Sequence, residues 1–364
     1  MNMFNITRAN SFSVLENKIL RHERITKDEA LILWEKFPLH VLSHLAVERK
    51  KFHSGNFVFY NRNLHIEPTN YCIYDCKFCS FKAKSSKDGY FLSPEKILEL
   101  IRSKAHEITE VHITGGVHPK LDVVFYENLF KAIKKEFPHI TIKALTAVEI
   151  IAACKKNHVS IEEGLQRLKE AGLEAMPGGG AEIFNEEIRK KLYPTKPSHK
   201  DWLQVHETAH RLGIHSNATM LFGHVETISQ RIEHLYLLRE LQDKTRGFDA
   251  FIPLKFKNKN NDLSWVEESF IVEDLRFFAI ARIFLDNFAH IKAYWPSLGI
   301  EETQISLLYG IDDVDGTINN STTIYSRAGS NAPTTLSVES IQYLCSEAGF
   351  KAVERNTHYQ IIKS

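Results

Sequence analysis

Three cysteines that lie close together are the residues of this sequence best suited to chemistry. Cys72, Cys76 and Cys79 lie within eight residues of a 364-residue chain that has only five cysteines. Their C-x3-C-x2-C spacing differs from the C-x2-C pairs of structural zinc sites, so zinc is the weaker interpretation. Three thiolates can hold three irons of a [4Fe–4S] cube and leave the fourth iron open. Cys154 and Cys345 fall in predicted helices and are expected to be small buried residues.

Two glycine-rich segments offer bare backbone to a ligand. Residues 114–116 (TGG) end a predicted strand, and residues 177–182 (PGGGAE) end another. Glycine lets a ligand or a second backbone approach closely, although a Gly-Gly pair alone is also typical of an ordinary turn. The second segment lacks the Gly-Lys-Ser/Thr ending of a phosphate loop, so it gives no support for nucleoside triphosphate binding.

The elements that position these segments alternate between short apolar runs and amphipathic helices, which predicts β/α units around a parallel sheet. We expect a (β/α) barrel, full or partial and TIM-like, with an N-terminal helical cap and a C-terminal extension. The predicted boundaries are 1–56 for the cap, 57–320 for the barrel and 321–364 for the extension. An eighth strand at 305–310 would close the barrel. The seven other candidate strands are 63–69, 109–114, 140–146, 173–176, 214–220, 248–254 and 290–295.

Composition excludes several classes of protein. Lys plus Arg number 46 against 45 Asp plus Glu, so the net charge of +1 provides no extended basic surface for nucleic acid. No apolar run reaches the ~18 residues of a membrane span, and the N-terminus lacks a signal-peptide pattern. We therefore expect a cytoplasmic protein without nucleic-acid or membrane partners.

The cysteine loop resembles the signature of the radical S-adenosylmethionine (SAM) superfamily. In that superfamily the pattern is C-x3-C-x-(aromatic)-C, here Cys72, Cys76, Phe78 and Cys79. The resemblance implies a [4Fe–4S] cluster whose open iron chelates the methionine part of SAM. One electron from the cluster then cleaves the sulfonium, and the protein positions the resulting 5′-deoxyadenosyl radical.

The same resemblance implies which other residues bind SAM. The turn formed by Thr114, Gly115 and Gly116 matches the place where the superfamily receives the methionine amino group through its backbone. Phe78 lies beside the cluster ligands. Glu182 either accepts hydrogen bonds from the ribose hydroxyls or complements the N-terminus of the following helix.

Almost the whole chain resembles the aminodeoxyfutalosine synthase family. The resemblance implies addition of the 5′-deoxyadenosyl radical to 3-[(1-carboxyvinyl)oxy]benzoate, with release of methionine and of bicarbonate or CO₂, to form 6-amino-6-deoxyfutalosine in menaquinone biosynthesis. The alternatives are hydrogen abstraction, as in dehypoxanthine futalosine cyclase, and a non-enzymatic iron–sulfur protein. The PGGGAEI segment argues against the related deazaflavin-forming enzymes. The matching segments are residues 65–70, 114–119, 176–184, 216–227, 251–256, 291–299 and 312–317.

A flat substrate with two carboxylates needs hydrogen-bond donors and apolar walls at the mouth of the barrel. Polar residues at predicted strand ends can supply these, since barrel active sites form at the C-terminal rim. An electron donor such as flavodoxin or ferredoxin is the expected protein partner. Asp312 and Asp315 either reach the site or cap a turn with Gly316, and Arg276 and Arg282 are expected on a helix face. The candidate substrate or catalytic residues are His65, Glu67, Asn217, His224, Lys292 and Tyr294.

Overall fold

The computed structural model describes residues 13–83, 85, 87–318 and 323–363. Its strands all lie between the N-terminal helices and the C-terminus. In chain order they are β1 (Phe57–Asn61), β2 (Asn63–Ile66), β3 (Glu110–Ile113), β4 (Thr141–Ala144), β5 (Ala175–Met176), β6 (His215–Phe222), β7 (Phe248–Lys255), β8 (His290–Ile291), β9 (Asp313–Gly316), β10 (Lys351–Arg355) and β11 (Ile361–Lys363).

Helices precede the first strand, alternate with the strands of the barrel and return near the C-terminus. In chain order they are α1 (13–20), α2 (Lys27–Lys36), α3 (Leu39–Ser54), α4 (Pro94–Lys104), α5 (Val123–Glu136), α6 (Ala147–Asn157), α7 (Ile161–Ala171), α8 (Glu186–Leu192), α9 (His199–Arg211), α10 (Ile228–Thr245), α11 (Ile271–Phe284), α12 (Trp295–Leu298), α13 (Ile300–Ser306), α14 (Ile324–Arg327) and α15 (Val338–Glu347).

A curled sheet of seven parallel strands, in the order β2-β3-β4-β5-β6-β7-β8, forms the body of the molecule. The predicted (β/α) barrel is therefore confirmed in its partial form. A second, four-stranded sheet has the order β11-β10-β1-β9. Helices α2 and α3 pack on α10 and α11. Residues 1–12 of the predicted cap lie outside the described residues, and the boundaries at 56 and 320 stay a prediction.

Strand β9 brings the two open ends of the seven-stranded sheet together. The backbone N–H of Ala293, just after β8, donates to the oxygen of Asp313 at 2.8 Å. At the other end, the N–H of His65 in β2 donates to the oxygen of Ile318 at 3.3 Å. The predicted closing strand at 305–310 is wrong, because residues 300–306 are α-helical and Leu307–Tyr309 form a 3-10 helix.

Local chemistry explains why several helices begin and end where they do. Thr26 and Glu29 form a reciprocal capping box at the start of α2. The Ser93 side chain accepts from the N–H of Lys96, and Pro94 occupies the first turn of α4. Gly172 ends α7 in the left-handed conformation at φ +116°.

Arg282 lies on α11, as expected. It does not decorate an exposed face, however, since its side chain is wholly buried. It donates to the backbone oxygens of Gly310 and Phe288 and to Oδ1 of Asp312. Arg282 therefore links α11 to the segment that leads into β9. Among the helices of the described residues, none combines the length and apolar character that a membrane span requires.

Candidate active site

The cysteine loop lies at the C-terminal end of β2, where it lines one cavity of about 310 Å³. Backbone hydrogen bonds hold the loop in place. The N–H of Cys79 donates to the oxygen of Cys76 at 3.1 Å, and that of Ile73 to Val117 at 3.0 Å. All predicted site residues except His224 line the same cavity: His65, Glu67, Cys72, Cys76, Phe78, Cys79, Thr114, Gly115, Gly116, Glu182, Asn217, Lys292 and Tyr294.

The spacing of the three thiols tests which metal group they fit. Four sulfurs around one tetrahedral zinc, with Zn–S bonds of about 2.3 Å, lie roughly 3.8 Å apart. The Sγ atoms of Cys72, Cys76 and Cys79 do not all come within 4.8 Å of one another. The donor set therefore fits a multi-iron cluster better than a single zinc ion.

Burial makes the thiols poor acids until a metal binds them. It raises the pKa of Cys76 to about 12 and also raises the pKa of Cys79. Lys196, which the sequence analysis missed, lies close enough to counter this effect, and its Nζ is 5.8 Å from the centroid of the Phe78 ring. Burial alone would lower the pKa of Lys196, but Glu182 and Cys76 raise it above its ordinary value. The site therefore holds a fixed positive charge beside the cysteine loop.

The turn of Thr114, Gly115 and Gly116 lies directly against the cysteine loop. The N–H of Gly116 donates to the oxygen of Thr69 at 2.8 Å. A Cβ atom on Gly116 would collide with the backbone oxygen of Tyr71, so glycine is required by the close approach. No described residue donates a hydrogen bond to the carbonyl oxygens of residues 114–116. Those oxygens can accept an ammonium group.

Glu149, a second residue that the sequence analysis missed, fixes this turn. Its carboxylate accepts from the N–H of Gly115 at 3.2 Å and from Oγ1 of Thr114 at 2.8 Å. It also accepts from the N–H of Thr146 at 2.8 Å, which completes a capping box at the start of α6. The Thr146-x-x-Glu149 pattern after a predicted strand is the signal that could have identified it.

The second glycine segment follows β5 and packs against β6. A Cβ atom on Gly178 would stand 2.5 Å from the backbone oxygen of Asn217. Glu182 adopts a left-handed φ of 51°, and its carboxylate forms an ion pair with Lys196. The cap of α8 is Asn185, whose Oδ1 accepts from the N–H of Ile188 at 3.0 Å. The Glu182 carboxylate therefore pairs with Lys196 at the cavity and not with the helix terminus.

The interior of the barrel supplies a polar floor to the cavity. The His65 and Tyr294 rings are nearly parallel, with centroids 6.1 Å apart and an interplanar angle of 10°. The His112 ring lies 4.4 Å from that of His65. Burial lowers the pKa of both histidines, so neutral imidazoles face the cavity at neutral pH. Asp315 reaches the site, because it lines the cavity and its Oδ2 lies 3.6 Å from His65 Nε2.

Glu67 and His224 differ in position. The Glu67 carboxylate lines the cavity and accepts from the N–H and Oγ1 of Thr323, both at 3.0 Å, so it ties β2 to the chain before α14. His224 lies beyond the end of β6 and outside the cavity lining, with Nδ1 3.2 Å from Glu226 Oε2. Glu67 therefore belongs to the lining of the cavity, whereas His224 does not.

Comparisons with known proteins agree with this geometry. Residues 66–238 match the family model of the radical SAM superfamily, and residues 245–364 match that of the CofH/MqnC C-terminal region. Aminodeoxyfutalosine synthase of Thermus thermophilus is 38% identical over 355 residues, covering 96% of this chain and 95% of that protein. Cyclic dehypoxanthine futalosine synthase of Streptomyces coelicolor is 42% identical over 316 residues, covering 84% and 78%.

A solved structure shows the same fold at low sequence identity. The crystal structure of methylornithine synthase superposes with a TM-score of 0.74 and 19% identity, covering 93% of this chain and 97% of that chain. The partial barrel is therefore shared well beyond the similarity of sequence.

Proposed function

Since this chain belongs to the radical SAM superfamily and, within it, to the aminodeoxyfutalosine synthase family, we propose that its cavity joins SAM to 3-[(1-carboxyvinyl)oxy]benzoate. The new bond connects the adenosyl 5′ carbon to the vinyl carbon of the benzoate. Methionine leaves, the carboxyl carbon of the vinyl group is lost as bicarbonate or CO₂, and 6-amino-6-deoxyfutalosine is formed for menaquinone biosynthesis. One observation carries the proposal: a single cavity runs from the cysteine loop to the polar floor of the barrel.

The residues around the cysteine loop suit the two cofactors. Cys72, Cys76 and Cys79 would hold a [4Fe–4S] cluster, which would supply one electron for cleavage of the SAM sulfonium. The carbonyl oxygens of residues 114–116, which accept no hydrogen bond from described residues, bind the methionine ammonium. Glu182 accepts from the ribose hydroxyls, and Lys196 keeps the Glu182 carboxylate in the cavity lining.

The polar floor suits the second substrate. The nearly parallel rings of His65 and Tyr294 form a wall for the flat benzoate ring. Asn217 lines the same cavity and donates hydrogen bonds to a carboxylate. Glu67 shapes the cavity by accepting a hydrogen bond from Thr323, and an ion pair with Asp315 holds Lys292 in place. An electron donor such as flavodoxin or ferredoxin stays a prediction.

The cyclase reaction is the second candidate, because the cyclase relative is the more identical over its shorter match. In that reaction cleavage of SAM releases methionine, and the 5′-deoxyadenosyl radical takes a hydrogen atom from the substrate and leaves as free 5′-deoxyadenosine, whereas the synthase retains the adenosyl group in its product. A non-enzymatic iron–sulfur protein is disfavoured, because such proteins normally complete the cluster with four protein ligands.

Product analysis tests the proposal. Reconstituted anaerobic protein is incubated with SAM, reductant and either the enolpyruvyl benzoate or dehypoxanthine futalosine, and the products are identified by mass. We expect a covalent adenosyl adduct with the benzoate and no turnover of dehypoxanthine futalosine. The reverse pattern would replace the synthase by the cyclase.

A further inference from the structure

Three metal-ligating side chains meet at the end of the barrel opposite the cysteine loop. His215 is the first residue of β6, and Asp249 is the second residue of β7. His358 lies in the turn between β10 and β11. Because the strands of the barrel are parallel, the N-terminal ends of β6 and β7 lie at the edge away from the active-site rim. The three residues therefore form a group separate from the catalytic cavity.

The side chains of this group lie close enough together to ligate one metal ion. Nδ1 of His215 lies 2.8 Å from Oδ1 of Asp249, and Nδ1 of His358 lies 3.9 Å from Oδ2. One ligand atom from each residue lies within 4.8 Å of the other two, and among the described residues no other group of three His, Cys, Asp or Glu side chains does so. Two imidazoles and a carboxylate suit zinc, which prefers tetrahedral nitrogen and oxygen ligands.

One carboxylate oxygen of Asp249 is buried without a hydrogen-bond donor among the described residues, which favours a cation beside it. Its side chain is only 10% exposed, and Oδ2 is buried without a hydrogen-bond donor from any described residue. Leaving a carboxylate oxygen buried without a hydrogen-bond donor is unfavourable. The two histidine side chains are 45% and 42% exposed, so an ion can enter from solvent.

The local fold holds His358 over this carboxylate. Oδ1 of Asn356 accepts from the N–H groups of His358 at 3.0 Å and Gln360 at 2.9 Å. The neighbouring ring of Tyr359 stacks on His290 with centroids 3.7 Å apart. The turn is thus fixed on both sides of His358, while the histidine ring itself remains half-exposed.

We propose that His215, Asp249 and His358 bind a zinc ion that fastens the β10–β11 hairpin to the N-terminal ends of β6 and β7. The ion replaces the proton that His215 Nδ1 shares with Asp249, and this proton passes to solvent. Tetrahedral ligand atoms with bonds of about 2.0 Å lie roughly 3.3 Å apart, so rotation of the His358 ring completes the site. Water takes the remaining position. The ion is structural, because the site does not open into the catalytic cavity.

Zinc binding by the reconstituted holoprotein tests the proposal. The protein carries no polyhistidine tag, and its cysteine loop is already filled by the cluster, so added zinc reports on the remaining sites. After incubation with zinc chloride and gel filtration, zinc and iron are counted by elemental analysis. The matched control is His40→Ala, which changes an exposed histidine that is not part of the group.

We expect one zinc per chain in the unchanged protein and in His40→Ala. His215→Ala and His358→Ala should each weaken zinc binding by more than about tenfold, with iron content unchanged. Zinc should also raise the unfolding temperature of the unchanged protein but not of the two site variants. Equal zinc retention by the site variants, or no zinc in any of the proteins, would overturn the proposal. Because iron content and product formation are measured separately, failure here leaves the proposed synthase activity intact.

Discussion

Nζ of Lys292 lies 2.8 Å from Oδ1 of Asp315 at the floor of the catalytic cavity, and both side chains are buried. Lys292 follows β8 and Asp315 belongs to β9, so the pair fastens the last strand of the seven-stranded sheet to the strand that bridges its ends. Burial alone would raise the pKa of Asp315, but Lys292 and His65 hold it well below its ordinary value. The Asp315 carboxylate is therefore ionised at neutral pH.

Breaking this pair should destabilise the protein strongly. Lys292→Met leaves the Asp315 carboxylate buried without its cation, which costs about 3–5 kcal/mol of unfolding free energy. The matched control is Lys51→Met, which breaks an exposed ion pair with Glu48 and should cost no more than about 1 kcal/mol. Urea unfolding under anaerobic conditions measures both. Equal losses of unfolding free energy in the two variants would show that the buried pair stabilises the protein no more than the exposed pair does.

The cysteines should divide cleanly into two groups. Alanine at Cys72, Cys76 or Cys79 removes a cluster ligand, so each variant should lose its iron after reconstitution and lose activity. Cys154 and Cys345 are buried in α6 and α15, and alanine at either should retain both. Iron analysis and the product assay measure the outcome. Full iron content in any of the first three variants would contradict the ligand assignment.

Gly116→Ala should disturb the SAM site without preventing folding. The new Cβ collides with the backbone oxygen of Tyr71 and pushes the turn away from the cysteine loop. Overpacking of this kind costs about 1–3 kcal/mol, so SAM should bind roughly tenfold more weakly or worse. Gly89→Ala is the control, since its Cβ would stand 3.3 Å from the Tyr71 side chain and needs only a small shift. Equilibrium dialysis measures the affinity of each variant for SAM. Equal affinities would contradict the role of Gly116 in shaping the SAM site.

Glu302 should make stability depend on pH. Burial, followed by the nearby charge of Asp274, raises the pKa of Glu302 from 4.5 to about 7. The folded state then binds more protons than the unfolded state, so unfolding free energy falls as pH rises from about 4.5 to about 7. The loss is roughly 3 kcal/mol in full. Glu302→Gln should abolish it, and Glu301→Gln, on the exposed side of α13, should not.

The unfolding free energies of the unchanged protein, Glu302→Gln and Glu301→Gln are measured by urea unfolding across this pH range. The unchanged protein and Glu301→Gln should lose stability relative to Glu302→Gln as pH rises. Parallel profiles for all three would mean that Glu302 ionises normally in the folded protein.

The cysteine loop was predictable from sequence because all three ligands lie in one short segment, where spacing alone carries the information. Strand β9, which bridges the two ends of the seven-stranded sheet, was not predictable from sequence. Residues 305–310 are an apolar run, which suits a strand and a buried helix equally well. Asp313–Gly316 is acidic and is typical of a turn. It forms β9 because Arg355 and Lys292, distant in sequence, pair with Asp313 and Asp315.

The residues around the cysteine loop show the same limit of sequence-based prediction, which finds local patterns and misses contacts made only through the fold. Glu149 could have been identified, since its capping box with Thr146 is local in sequence. Lys196 could not, because it lies between α8 and α9 and meets Glu182 and Phe78 only through the fold. Long-range pairing thus accounts for most of what the sequence analysis missed.

The proposed chemistry depends most on an iron position that faces the cavity without a protein ligand. Electron paramagnetic resonance of the reduced, anaerobic protein, recorded with and without SAM carrying ¹⁵N in its amino group, tests this directly. We predict that SAM shifts the cluster signal and that the shifted signal shows hyperfine coupling to the label. A spectrum unchanged by SAM, with no coupling to nitrogen, would contradict an open iron position that binds SAM.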